Sequence, residues 1–145
     1  MPTSPPPRPA QLRLFSPAGI AIGTLLGSFV AGVAMIWFNY KVMGYPSLGN
    51  RIAGAGMIFY IMIITAASMA PNSPAVGVTV MLGQCALAWW AATALQGDAI
   101  GYYLAKGGTV YGLGPAALVG LATGLVAVAI LMLIGRITGM PIGLS

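Results

Sequence analysis

Residues 17–40 read PAGIAIGTLLGSFVAGVAMIWFNY and contain no charged side chain. A helix of this length would be about 36 Å long, enough to cross a bilayer core of about 30 Å. Ser16 offers a capping hydroxyl, and Pro17 suits the first position of a helix. The stretch predicts a transmembrane helix over 17–40 and makes the chain a membrane protein.

Three more apolar segments follow along the chain, at 52–70, 75–96 and 116–135. The sequence PNSP at 71–74 leaves room only for a tight turn between antiparallel helices. The chain is 59% hydrophobic and 5% charged, which is too few charges to cover a soluble protein of 145 residues. We therefore predict an all-α integral membrane protein, a four-transmembrane-helix bundle over 16–140. A disordered Pro-rich tail at 1–15 precedes the bundle, and a short tail at 141–145 follows it.

The longest connection, residues 97–115, has the pattern of a short helix at the membrane surface. Asp98 can cap the start of a helix over 99–106, and Gly107-Gly108 can end it. The apolar residues of this helix, Tyr103 among them, lie on one face, as is typical of a helix in the interface. We expect a short interfacial helix between the third and fourth transmembrane helices.

Side chains that prefer the membrane–water boundary stand near the ends of these segments. The expected interfacial anchors are Trp37, Tyr40, Trp89, Trp90, Asp98 and Tyr103. Four crossings would place both termini on one side of the bilayer. The cations do not decide which side, because they divide into Arg8, Arg13 and Arg136 against Lys41, Arg51 and Lys106. Two cations before the first helix favour a cytoplasmic N-terminus.

Small residues recur every four positions in the first and fourth segments, so each row lies on one helix face. The first row is Gly19, Gly23, Gly27 and Ala31, and the second is Ala116, Gly120 and Gly124. Such rows let two helix backbones approach closely. One interpretation is packing of the first helix against the fourth within the chain. The other is a face that binds a second copy or the helix of a membrane partner.

Gln84 is a polar side chain about ten residues into the third segment. Serine and threonine can return their hydroxyl to a carbonyl one turn back, but glutamine cannot. We therefore expect Gln84 to form a hydrogen bond to another helix, which favours a structural role over contact with a solute. Asn39 lies close enough to the predicted interface to be wetted.

The chain contains no histidine and no glutamate, and its one acid is Asp98. A metal site, a nucleophile–base pair or a two-carboxylate mechanism cannot be assembled from these residues, so we expect no enzyme activity and no cofactor. Ion-coupled transport usually needs an ionisable group at membrane depth, which argues against that class as well. The six cations are scattered, whereas nucleic-acid binding needs them clustered.

Residues 14–44 read LFSPAGIAIGTLLGSFVAGVAMIWFNYKVMG. An aromatic-Ser-Pro start, a TFLG-x-P-LAG core and a following Asn-Tyr and Gly are matched at Phe15, Ser16, Pro17, Thr24, Leu25, Leu26, Gly27, Ala31, Gly32, Asn39, Tyr40 and Gly44. This pattern resembles a group of uncharacterised small bacterial inner-membrane proteins. Leu26 stands where phenylalanine is usual and Phe29 where proline is usual, so the resemblance does not imply a helix break at that point. It implies a bacterial inner-membrane protein and names no function.

Three functional hypotheses follow. The first is a non-enzymatic membrane protein that acts through helix–helix association with itself or with a membrane partner, for which the glycine rows are the motivation. A more specific version is an immunity protein against a membrane-targeting bacterial toxin, a role that suits small polytopic proteins with few charges. The third is a small oligomeric channel or passive facilitator, since threonine, glutamine and backbone groups can line a pore.

Overall fold

A computed structural model describes residues 13–71 and 73–138. The described chain forms two short strands and five helices: β1 Arg13–Phe15, α1 Pro17–Gly27, α2 Phe29–Val42, α3 Pro46–Ser68, α4 Pro74–Ala105, β2 Thr109–Tyr111 and α5 Leu113–Thr138. The predominantly helical class is confirmed. Within these residues α3, α4 and α5 are long and apolar enough to cross a membrane, whereas α1 and α2 are shorter apolar helices.

The first predicted helix, 17–40, is wrong as a continuous element. It breaks at Ser28, and α2 then runs back alongside α1. A methyl group at Gly32 would lie 3.7 Å from Ile20 of α1, and the backbone of Phe15 bonds to the side chain of Asn39. The two helices therefore form an antiparallel hairpin that turns at Ser28.

The turn has a simple backbone geometry. The N–H of Ser28 donates to the carbonyl of Thr24 at 2.9 Å, which closes α1, and the carbonyl of Ser28 accepts from Ala31 at 3.0 Å, which opens α2. Between these bonds Ser28 has φ +86° and ψ +172°. Proline is not needed for the break, because the residues on either side are held by neighbouring helices. Phe29 occupies the first position of α2.

β1 and β2 form a parallel pair in the register Arg13 to Thr109, Leu14 to Val110 and Phe15 to Tyr111. Residues 13–15 were expected to belong to a disordered tail, and this part of the prediction is wrong. Three residues are too few for hydrophobic periodicity to reveal a strand, and the partner strand lies far along the chain. The rest of that tail and the predicted tail at 141–145 lie outside the described residues.

α4 continues without interruption from Pro74 to Ala105, so the predicted separate interfacial helix is wrong and Asp98 does not cap a helix. Gly97 weakens a helix by only about 1 kcal/mol. The buried side chains of Gln96 and Ile100 on either side hold this part of α4 in the protein interior. The predicted stop is correct: Gly107 has φ +82°, and Gly108 N donates to the carbonyl of Tyr103 at 2.8 Å.

The remaining bounds differ from the predictions by a few residues. α3 begins at Pro46, six residues before the predicted start at 52, and α5 begins at Leu113 rather than 116. Proline in the first turn is tolerated because the N–H it lacks would have no partner within the helix. α3 has a single buried residue, Gly49.

The helices alternate in direction. α1 runs parallel to α5, because Gly19 lies beside Ala116 and Gly27 beside Gly120. We call the end that holds β1, β2, the α2–α3 connection at 43–45 and the last turn of α4 the strand end. The end that holds the α3–α4 connection and the last turn of α5 is the far end. The first described residue, Arg13, is thus at the strand end, and α5 finishes at the far end.

Candidate functional site at the hairpin apex

The hairpin turn lies midway along the bundle. Gly27 faces Gly120 of α5, which is about 11 Å from the start of that helix, and Phe29 bonds to Gln84, which is about 15 Å from the start of α4. The two starts are at opposite ends of the bundle, so the turn is roughly equidistant from them. We call the polar groups gathered there the apex site: Thr24, Ser28, the backbone of Phe29, Gln84 and Thr123.

Ser28 carries two anomalies at once. Among the described residues it is the non-glycine residue with a positive φ, and with ψ at +172° this conformation costs about 1–3 kcal/mol for an L-residue. Its Oγ is also buried without a hydrogen-bond partner in the described part of the chain. Strained backbone and unsatisfied buried polar groups concentrate at functional sites. Nothing in the sequence pattern alone marked this residue.

Gln84 forms the interhelical bond at the apex. Its Oε1 accepts from the backbone N–H of Phe29 at 3.3 Å, which caps the first turn of α2. The side chain is almost fully buried. The sequence had favoured a structural role for Gln84, and the bond to Phe29 is such a role. Its amide nitrogen donates to no other described side chain or backbone carbonyl, so it remains able to bind a further acceptor.

The two glycine rows contact each other within the chain. A methyl group at Gly120 would lie 2.5 Å from the carbonyl oxygen of Gly23, and one at Gly124 would lie 3.1 Å from that of Leu26. At Gly27 a methyl group would collide with the carbonyl of Gly120. Ala31 is buried but belongs to α2, so it does not extend the row of α1. The rows therefore bring α1 and α5 into backbone contact within the chain.

A second polar cluster, between the apex and the strand end, is fully paired. Asn39 Oδ1 accepts from Phe15 N at 2.8 Å, and Asn39 Nδ2 donates to Phe15 O and to Gln96 Oε1, each at 2.9 Å. Gln96 Nε2 donates to the carbonyl of Ile36 at 2.8 Å. The exposed fraction of Asn39 is 0% and that of Gln96 is 1%, so Asn39 is not wetted as expected. This cluster fastens β1, α2 and α4 together.

Sequence reasoning missed Gln96, although a signal was present. The buried face of α4 consists of residues four apart: Gln84, Ala88, Ala92, Gln96 and Ile100. A row of alanines between two glutamines marks a face that packs closely and carries amides, which is how polar helix contacts in membranes are built. Gln96 stands at the end of the predicted segment 75–96, and its position on the same face as Gln84 therefore did not enter the prediction.

The predicted interfacial anchors divide into two groups. Trp37 donates from Nε1 to Asn50 at 2.7 Å and lies 4.5 Å below the ammonium of Lys41, and Tyr40 is buried with its hydroxyl donating to Leu95 O at 3.0 Å. These two residues join helices near the strand end. The others lie along α4: Trp89, Trp90 and Asp98 are exposed, and Tyr103 is half-buried. The exposed side chains are free to meet lipid or headgroups.

No protein family, curated protein or solved structure matches this chain. Among the described residues no three potential metal ligands lie together. The apex site offers hydroxyl, amide and backbone groups and no titratable carboxylate or imidazole. Such groups can donate hydrogen bonds to a molecule and accept them from it.

Proposed function

We propose that this chain is a small membrane channel or passive facilitator whose apex site contacts a polar solute at mid-bilayer depth. The observation that carries the proposal is Ser28, which combines an unpartnered buried hydroxyl with a left-handed backbone at the turn of the hairpin. A non-helical turn at membrane depth is tolerated where it is buried in protein or lines a water-filled cavity. In transporters, helices broken at this depth form the solute site.

The apex adjoins a surface groove. A groove of about 550 Å³ passes beside it between α2, α3 and α5, with Val30, Tyr60 and Thr123 in its wall near the turn and Ile130 toward the far end. The groove extends from the far end to the level of Thr123, and its wall is formed almost entirely by apolar side chains. Toward the strand end the Asn39–Gln96 cluster is buried, and its amides bond to each other and to the backbone.

The membrane topology is part of the proposal. α3, α4 and α5 cross the bilayer, and the hairpin of α1 and α2 enters it from the strand end and returns. At about 16 and 21 Å, each hairpin helix is too short to cross alone. The N-terminus and the C-terminus are then on opposite sides, instead of on the same side as the four-crossing prediction requires.

With the hairpin, the cations no longer divide equally between the two sides of the membrane. The described cations at the strand end are Arg13, Lys41, Arg51 and Lys106, whereas Arg136 lies near the far end. Positive charges are enriched on the cytoplasmic side, so the strand end is cytoplasmic and the far end faces outward. Together with the resemblance of residues 14–44, this charge distribution supports the proposal of a bacterial inner-membrane protein with its N-terminus inside.

Solute flux tests the proposed function. Purified protein is reconstituted in liposomes, and the entry of a panel of small solutes, charged and uncharged, is compared with protein-free liposomes. Gln84→Leu should reduce the flux, and Thr79→Val should not, because Thr79 is exposed on the same helix and bonds to its own helix at Ala75 O. A wild-type protein that leaves every solute at the background leak would overturn the proposal.

Helix association is a second candidate, and a different observation favours it. Beyond Tyr60 the helix α3 extends past the start of α2, and its side chains there are exposed, with Ile61 at 60% and Met62 at 61%. Since the glycine rows are occupied, this surface is where a second copy or membrane partner would bind. Native mass spectrometry of wild type against Ile61→Ala with Met62→Ala tests it, and an unchanged monomer in both would exclude it.

The immunity-protein hypothesis has no comparable support. It concerns a toxin partner, and no described contact or side chain distinguishes it from the other two. It remains a proposal that deletion of the gene beside an intact toxin gene would test. A healthy deletion strain would remove it.

A further inference from the structure

The hairpin brings two opposite helix ends together at the apex. α1 finishes there with its last carbonyl groups, and α2 begins there with its first N–H groups. A helix carries about half a positive charge at its N-terminus and about half a negative charge at its C-terminus. Because the two ends are separated by Ser28 alone, these partial charges largely offset one another. The backbone therefore offers both donors and acceptors without a net field of either sign.

The side chains of the apex site likewise include both hydrogen-bond donors and hydrogen-bond acceptors. Ser28 Oγ can donate and accept, and it is buried without a partner among the described residues. Gln84 accepts from Phe29 through its oxygen and keeps its amide N–H groups as donors. The Thr24 hydroxyl donates to the carbonyl of Ile20, and the Thr123 hydroxyl to that of Val119, which leaves each oxygen able to accept.

Charged side chains are remote from this site. Arg51 precedes Tyr60, which stacks on Phe29, by nine residues or about 14 Å of helix. Arg136 follows Thr123 by 13 residues or about 20 Å. An ion at the apex would lose its hydration without gaining a countercharge, which costs several kcal/mol. An uncharged molecule with hydrogen-bonding groups loses far less and finds both kinds of partner.

We propose that the apex site selects an uncharged polar solute that both donates and accepts hydrogen bonds, of the size and chemistry of urea, glycerol or a small amide, and excludes ions of either sign. This inference rests on the proposed function and specifies its substrate class. The four cations at the strand end repel other cations and so raise the barrier to their passage. An anion is not stabilised at the apex, because the C-terminus of α1 offsets the positive potential that a single helix N-terminus would provide.

The test separates uncharged from ionic flux in the same proteoliposomes. Shrinkage and re-swelling in urea or glycerol are followed by light scattering, and K⁺ and Cl⁻ movements are followed under an imposed potential with ion-selective electrodes. The variant is Ser28→Gly, which retains the positive φ and removes the hydroxyl, so it should fold. The matched control is Thr79→Val, which removes an exposed hydroxyl from α4.

We expect urea or glycerol flux above protein-free liposomes and no ion flux. Ser28→Gly should lower the uncharged flux by about three- to tenfold, as the loss of one hydrogen bond to the solute predicts, and Thr79→Val should not. Ion flux without uncharged flux would overturn this inference while leaving a channel in place. An uncharged flux equal in Ser28→Gly and wild type would overturn the assignment of the apex. No flux of any kind would overturn the proposed function itself.

Discussion

The backbone N–H of Phe29 donates a hydrogen bond of 3.3 Å to the side-chain oxygen of Gln84, 55 residues further along the chain. This bond joins the first turn of α2 to the middle of α4 at the level where the hairpin turns. It satisfies a helix N–H that has no partner within its own helix. The amide of Gln84 therefore stabilises the turn as well as presenting its nitrogen to the apex.

Replacing Gln84 by leucine should destabilise the fold by about 1–3 kcal/mol, because the N–H of Phe29 is left buried and unpaired. Thermal unfolding in detergent, followed by far-UV circular dichroism, measures the change. Thr79→Val, on the exposed face of the same helix, is the control and should leave the midpoint unchanged. Equal midpoints for Gln84→Leu and wild type would show that the bond contributes nothing to the turn.

Gly120→Ala and Gly83→Ala form a matched pair of substitutions. The new methyl group at Gly120 would lie 2.5 Å from the carbonyl oxygen of Gly23, whereas nothing lies within 4 Å of one at Gly83. Gly120→Ala should therefore separate α1 from α5 and sharply lower the yield of folded protein. Gly83→Ala should be neutral or stabilising by up to about 1 kcal/mol, since alanine is the better helix former. Size-exclusion profiles and unfolding midpoints distinguish the two. A pair that behaves alike would contradict the contact between the glycine rows.

Ser28→Gly should raise stability while lowering solute flux. Glycine adopts this conformation without the penalty of about 1–3 kcal/mol that an L-residue incurs, and the substitution also removes the buried unpaired hydroxyl. Ser28→Ala keeps the backbone penalty and serves as the comparison, so its midpoint should lie below that of Ser28→Gly. Thermal unfolding in detergent gives the midpoints of wild type, Ser28→Gly and Ser28→Ala for comparison. If Ser28→Gly is the least stable of them, the turn does not have the conformation described.

Asn39→Leu should be more destabilising than Gln96→Leu. Loss of the Asn39 amide leaves Phe15 N, Phe15 O and Gln96 Oε1 without this hydrogen-bond partner. Each buried group left unpaired lowers the free energy of unfolding by about 1–3 kcal/mol. Gln96→Leu removes one acceptor of Asn39 and one donor to Ile36. Because the two amides share a bond, the double variant should lose less than the sum of the single variants. Strict additivity in unfolding experiments would mean that the cluster is not a unit.

Cysteine labelling should place residue 47 on the same side of the membrane as the N-terminus. In a Cys85→Ser background, Ser4→Cys and Ser47→Cys should react with a membrane-impermeant maleimide only after cells are permeabilised. Met69→Cys, in the connection at the far end, should react in intact cells. A helix over 17–40 that crossed the membrane would put residues 4 and 47 on opposite sides. Labelling of only one of this pair in intact cells would therefore rule out the re-entrant hairpin.

The sequence predicted the helical class and most helix termini because these depend on local chemistry. Ser16 accepts from Gly19 N at 3.1 Å and Ser73 from Val76 N at 3.3 Å, each at the start of a helix that begins with proline. The stop at Gly107 follows from its positive φ. Periodicity also placed the two glycine rows on single faces, which the structure brings into contact.

The reversal at Ser28 could not be read from the sequence in the same way. Residues 17–40 are uncharged, mostly apolar and long enough to cross, so composition favours one helix. The break depends on contacts with distant residues: Gly27 with Gly120, and Phe29 with Gln84. The same applies to Asn39, whose partners lie in β1 and α4, and to the two strands. These features arise from tertiary packing, to which local patterns are insensitive.

The parallel pairing of β1 with β2 has a consequence for how the protein is made. β1 and the hairpin are synthesised first, but the strand and helix that cover them, β2 and α5, are synthesised last. Until α5 is synthesised, the glycines of α1 have no helix backbone to pack against, and the turn at Ser28 lacks its packing against α5. The hairpin therefore reaches its described packing only after β2 and α5 have been synthesised.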